Sequence, residues 1–205
     1  GSESTLNIGR GYGLAEDQMR LADLEEPMTF GRFKIQLILS EHSPHGKFQG
    51  VIEAPLRAPT RASEYKMGEC YSMMITHTSA SGRTRSVLVH ASAGFKPDCL
   101  KGYRADVAFL GVGPLGKQTT EFRNDYWRET VETVKARRVF PIHWDDFTLP
   151  LSEPLKAMPY VADDFRVTLK FLQRRRSLDG IEFGIPEPFV RIDPFARLGS
   201  SRSAP

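Results

Sequence analysis

The feature that most constrains this chain is a change in its apolar pattern about halfway along. Residues 33–39, FKIQLIL, alternate strictly: Phe33, Ile35, Leu37 and Leu39 fall on one side, Lys34 and Gln36 on the other. A period of two marks a strand with one face buried. Residues 70–77, CYSMMITH, and 85–90, RSVLVH, read as two further strands joined by the turn Thr78-Ser79-Ala80-Ser81-Gly82. Beyond residue 100 the runs become short and continuous. ADVAFL at 105–110 ends in Gly111-Val112-Gly113, and Arg138-Val139-Phe140-Pro141-Ile142 ends at His143. Continuous runs of that kind suit strands covered on both faces.

Helical periodicity separates these later runs. Thr119 or Thr120 can cap a helix reaching about Ala136, with Phe122, Tyr126, Trp127, Val131 and Val134 as its apolar stripe. A second helix is expected from Val161 to Arg176, capped by Asp163, with Phe165, Leu169 and Leu172 inward and Gly180 as its stop. Ile181 to Ile185 reads as a last strand. Residues 1–13 read as a Gly- and Ser-rich loop, and 47–68 as a long excursion of the kind that often carries function. Strands first, then alternating helix and strand, point to an α/β layered fold: a mixed sheet covered by helices. One domain over 1–193 and a flexible tail over 194–205 are expected.

Charge narrows the partners. Lys and Arg number 28 against 25 Asp and Glu, a net +3, too even to argue for nucleic acid. No apolar run is long enough to span a membrane. Cys70 and Cys99 are too few for a disulfide framework or a cysteine-rich zinc cluster. They fit a reducing compartment, so a cytoplasmic location is expected.

Five histidines remain: His42, His45, His77, His90 and His143. His42 and His143 each follow a strand directly, where a sheet positions an imidazole while its tip stays accessible. His45 and His77 read as surface or packing residues, and Tyr126 and Trp144 as core aromatics.

The segment Pro141-Ile142-His143-Trp144-Asp145-Asp146-Phe147 follows ADVAFLGVG by about thirty residues, with Leu39-Ser40-Glu41-His42-Ser43 earlier in the chain. In this order the three resemble the metallo-β-lactamase superfamily, in particular its lactonase-like branch, over about residues 1–190. The resemblance implies an αββα sandwich with helices outside two mixed sheets, here incomplete at the N-terminal side. It implies metal-dependent hydrolysis of an ester, lactone or phosphodiester, with zinc as cofactor, or manganese or iron, and a small-molecule substrate. His42 and His143 fall on family metal-ligand positions. Asp145 or Asp146 would orient an imidazole as an outer partner. The chain departs from the family twice. The His-x-His-x-Asp-His run that supplies most ligands is absent, and Ser92 in Ala91-Ser92-Ala93-Gly94 stands where the family has a bridging Asp. A hydroxyl bridges two cations poorly, so one ion is expected rather than two. His90 is a candidate replacement ligand, set against a histidine simply hydrogen-bonded at a strand end. Taken alone the chain is expected to be inactive. The alternative from another class is a non-catalytic module of the same fold that binds a partner.

Overall fold

The computed structural model describes residues 1–44 and 47–198. Seven strands form a single mixed sheet in chain order: β1 (Met28–Phe30), β2 (Phe33–Leu39), β3 (Tyr71–Thr78), β4 (Thr84–His90), β5 (Val107–Gly111), β6 (Arg138–Ile142) and β7 (Glu182–Phe183). The first four pair antiparallel, the last four parallel. The change of apolar pattern thus coincides with the change of strand direction, because the parallel strands are the ones covered on both sides. The expected sandwich has two sheets; among the described residues there is one.

In-register neighbours define the faces. Met74, Leu88, Ala108 and Val139 lie side by side across β3 to β6. They form the main core with Tyr126, Trp127, Val131, Val134 and Leu172. Tyr126 and Trp127 belong to α2 (Thr120–Trp127), capped as expected by Thr119, whose side chain accepts from the Phe122 N–H. The expected helix to Ala136 instead turns π-helical at Arg128–Glu132. There the Thr130 hydroxyl donates to the Tyr126 carbonyl at 2.6 Å, an insertion into the helical ladder of the kind that alters its pitch.

α3 (Phe165–Asp179) starts later than its periodicity suggests, and its N-cap is Asp164 rather than Asp163. The Asp163 carboxylate accepts instead from the Gly116 N–H at 3.0 Å, which removes it from the helix end. Gly180 closes the helix in the left-handed conformation, as read from the sequence.

One further expectation fails. Residues 1–13 are not a loop: α1 (Glu3–Gly11) is capped by the Ser2 side chain, with Glu3 in its first turn. Within the expected tail, Leu198 packs with Phe195 against Val107 and Phe140 on the sheet face away from α2. Residues 199–205, the remainder of that tail, lie outside the described residues. No helix among the described residues is long and apolar enough to cross a membrane.

Candidate functional site: a cleft at the strand ends

β2 runs antiparallel to β3, and β3 antiparallel to β4, so β2 points the same way as β4, β5 and β6. The segments that follow these four strands therefore gather at one edge of the sheet. In open α/β sheets the carboxyl ends of the strands are where ligands bind. His42 follows β2, Ser92 follows β4, Gly113 follows β5 and His143 follows β6.

Glycines let these segments touch backbone to backbone. A Cβ on Gly94 would lie 2.1 Å from the His42 carbonyl oxygen, and one on Gly113 would lie 2.4 Å from that of His143. A Cβ on Gly111 would meet the Ala91 carbonyl oxygen at 2.3 Å. Any side chain at these positions would force the loops apart. Ser92 adds a tie: its Oγ accepts from the Ser43 N–H at 2.9 Å in buried surroundings. Tyr126, fully buried, donates its hydroxyl to the Gly111 carbonyl at 2.6 Å.

The outcome is a cleft of about 470 Å³ that both His42 and His143 line, although about a hundred residues separate them in the chain. His42 turns Nδ1 towards the Ser43 carbonyl, at 3.2 Å, and the Ser43 hydroxyl, at 3.1 Å. With Nδ1–H donating to the carbonyl the lone pair lies on Nε2, and with the Ser43 hydroxyl donating to Nδ1 it lies on Nδ1, so Ser43 fixes the ring's orientation in either tautomer. His143 is exposed, has φ +56° and stands with its ring 5.6 Å from that of Phe147. A left-handed backbone at a non-glycine residue is a strained conformation of the kind found at ligand-binding positions.

The remaining sequence candidates separate. His90 does not reach the cleft: its Nε2 donates to the Gly94 carbonyl at 2.6 Å and its Nδ1 lies 2.7 Å from the Ser72 hydroxyl. Both nitrogens are satisfied inside the protein, which is the hydrogen-bonded strand-end histidine and not the replacement ligand. Burial holds its pKa down to about 4, so the ring is neutral. Ser92 is not part of the cleft lining; it lies one hydrogen bond behind, under the His42 loop. Asp146 is spent in a local turn, its Oδ1 accepting from the Thr148 N–H and hydroxyl. Asp145 forms a lone backbone bridge to Ala157. Neither shows a bond to an imidazole among the described residues. His77 packs its ring 4.6 Å from that of Phe33, as a packing residue does. Trp144 stacks on Phe165. His45 lies outside the described residues.

Seven cleft residues escape sequence reasoning as site residues: Lys47, Phe48, Pro114, Phe147, Met158, Ala162 and Asp163. The first two begin the long excursion, which α1 holds in place. Asn7 donates to the Ile52 carbonyl, and the Ser4 hydroxyl accepts from the Ile52 N–H. Asp163 is buried, and its Oδ2 has no hydrogen-bond partner among the described residues. Burial pushes its carboxyl above the usual range.

Among the described residues, no group of three or more His, Cys, Asp or Glu side chains is placed to hold a metal ion. A catalytic zinc centre takes three protein ligands and an open position. The described residues by themselves therefore do not fit a complete zinc site.

No protein-family model matches the chain, and no curated protein matches it. Among solved structures, the metallo-beta-lactamase fold protein YhfI from Bacillus subtilis is 14% identical, with a TM-score of 0.43. The match covers 82% of this chain and 52% of that one, so this chain spans about half the length of that protein. What the described residues define is an α/β protein with a single mixed sheet and a cleft at the carboxyl ends of its strands.

Proposed function

We propose that this chain carries a hydrolase cleft of metallo-β-lactamase type, with His42 and His143 as its two imidazoles and a small molecule as its substrate. The observation that carries the reading is that both histidines line one cleft, each placed by the end of its own strand. His42 is held by Ser43 and seated on Gly94; His143 is seated on Gly113. Imidazoles fixed in this way can orient a carbonyl or phosphoryl group and hold a proton near it. A tightly held zinc, manganese or iron ion would need donors besides these two. The lactonase-like branch is an expectation of the sequence motifs alone.

The test is zinc titration of the chain by calorimetry, with hydrolysis of p-nitrophenyl acetate and bis(p-nitrophenyl) phosphate followed in parallel. Weak zinc binding that is lost in both His42→Ala and His143→Ala is expected. Without further donors the chain alone should turn over neither substrate. Zinc binding that survives both substitutions would remove these histidines from the site. A second reading, a partner-binding module without chemistry, is favoured by the lack of a three-ligand group among the described residues. It predicts no zinc binding at all.

A further inference from the structure

We infer that this cleft selects ligands whose body beyond the reacting group is apolar and uncharged, an acyl chain or aryl group, in preference to phosphodiesters. The inference rests on the reading of the cleft as a substrate site and narrows its substrate class to carbonyl compounds.

Three observations carry it. First, the lining is mainly apolar: Phe48, Pro114, Phe147, Met158 and Ala162 surround the two histidines. Second, two of these are phenyl rings left open to water, Phe48 at 48% and Phe147 at 66% exposure. They come from different parts of the chain. Phe48 is fixed by its carbonyl accepting from the Met67 N–H at 2.6 Å, and Phe147 by its place beside the His143 ring. Exposed aromatic surface at a concave site is covered favourably by an apolar ligand, and few convergent polar groups then set its orientation. Third, the charge of the lining cancels. Among the described residues, Lys47 brings one cation and Asp163 one carboxyl group, and no other Lys, Arg, Asp or Glu lines the cleft. Excess positive charge or forked guanidinium donors from the protein favour a phosphodiester anion over a neutral carbonyl compound. No Arg among the described residues lines this cleft.

The test needs no turnover. Fluorescence titration of the chain in chelator with N-phenyl-1-naphthylamine, a neutral aromatic probe, reads binding directly. Phe48→Ser and Phe147→Ser should each weaken the probe by about fivefold, since each removes a ring whose exposed part the probe would cover. Phe33→Ser, at an aromatic 47% exposed on the sheet, controls for binding elsewhere and should leave the affinity unchanged. p-Nitrophenyl octanoate should displace the probe at a concentration at least tenfold below that needed of bis(p-nitrophenyl) phosphate. Equal effects of Phe33→Ser and the cleft variants, or equal displacement by the two compounds, would overturn the inference. Zinc titration of the unaltered chain reports separately on His42 and His143: absent zinc binding would sink the metallo-hydrolase reading and leave the probe result standing.

Discussion

Acid should weaken this protein in large part through one buried residue, His90. Its ring is only 2% exposed, with Nε2 bound to the Gly94 carbonyl and Nδ1 to the Ser72 hydroxyl. Desolvation, the larger influence, holds its pKa near 4, and the Gly94 bond only partly opposes it. An unfolded histidine titrates near 6.5. Between those values the unfolded chain binds the proton and the folded one does not, so stability falls as the pH falls. The contribution is complete above pH 6.5, is lost progressively down to about pH 4, and changes no further below it. Each pH unit in that window is worth about 1.4 kcal/mol, so the whole loss is about 3 kcal/mol. That is a large share of the 5–15 kcal/mol typical of a domain. The assay is urea unfolding between pH 7.5 and 4, run on the wild type and on His90→Gln. The glutamine amide can donate to Gly94 and accept from Ser72 but does not titrate. Subtracting the two curves cancels the other histidines and carboxylates. A difference that stays flat from pH 6.5 to 4 would refute the argument, and with it the neutral buried ring.

Three further outcomes follow from the strand-end contacts. Gly94→Ala places a methyl 2.1 Å from the His42 carbonyl oxygen and should destabilise by about 1–3 kcal/mol, whereas Gly184→Ala, whose nearest neighbour is 3.7 Å away, should be close to neutral; thermal melts of the two distinguish them. Tyr126→Phe leaves the buried Gly111 carbonyl without its 2.6 Å donor and should lower the urea midpoint by an amount equivalent to about 1–3 kcal/mol. Ser92→Asp keeps an acceptor for the Ser43 N–H and adds a charge behind His42, so it should raise the zinc retained per chain after dialysis; an unchanged or lower ratio would show that the site is built without this position.

What could be read from the sequence were the features with a local cause. β2 is legible over Phe33–Leu39 because alternation is imposed by the pleat itself, and β6 over Arg138–Ile142 because a short apolar run stops at His143. α1 is hidden by Gly9 and Gly11, which look like loop residues; Gly11 is there because the Leu56 carbonyl passes within 1.9 Å of where its Cβ would be. The start of α3 is misplaced because Asp163 has a partner 47 residues away, at Gly116. No spacing rule encodes that contact. The same limit governs the site. His42 and His143 can be chosen by their place after strands, but that Phe48 and Phe147 flank them depends on α1 clamping the 47–68 excursion and on the course of the chain after His143. His90 and His143 each end a strand and look alike in the sequence. Only the Ser72 hydroxyl and the Gly94 carbonyl separate the structural ring from the accessible one.

The strand order, β1 to β7 without a permutation, bears on how the chain folds. Each strand pairs only with those immediately before and after it in sequence. Nascent chain can therefore add to an existing edge without waiting for a distant strand to be made. The β3–β4 hairpin, closed by the Ser79 carbonyl accepting from Gly82, is the most local pairing of two long strands and a natural nucleus. The parallel additions that follow close progressively longer loops, from His90 to Val107, from Gly111 to Arg138 and from Ile142 to Glu182. Each carries a larger entropic penalty than the last. The two sides of the strand-end cleft thus differ in locality: the His42 side hangs on the hairpin-connected strands, and the His143 side on β6, which a connection of some two dozen residues separates from β5.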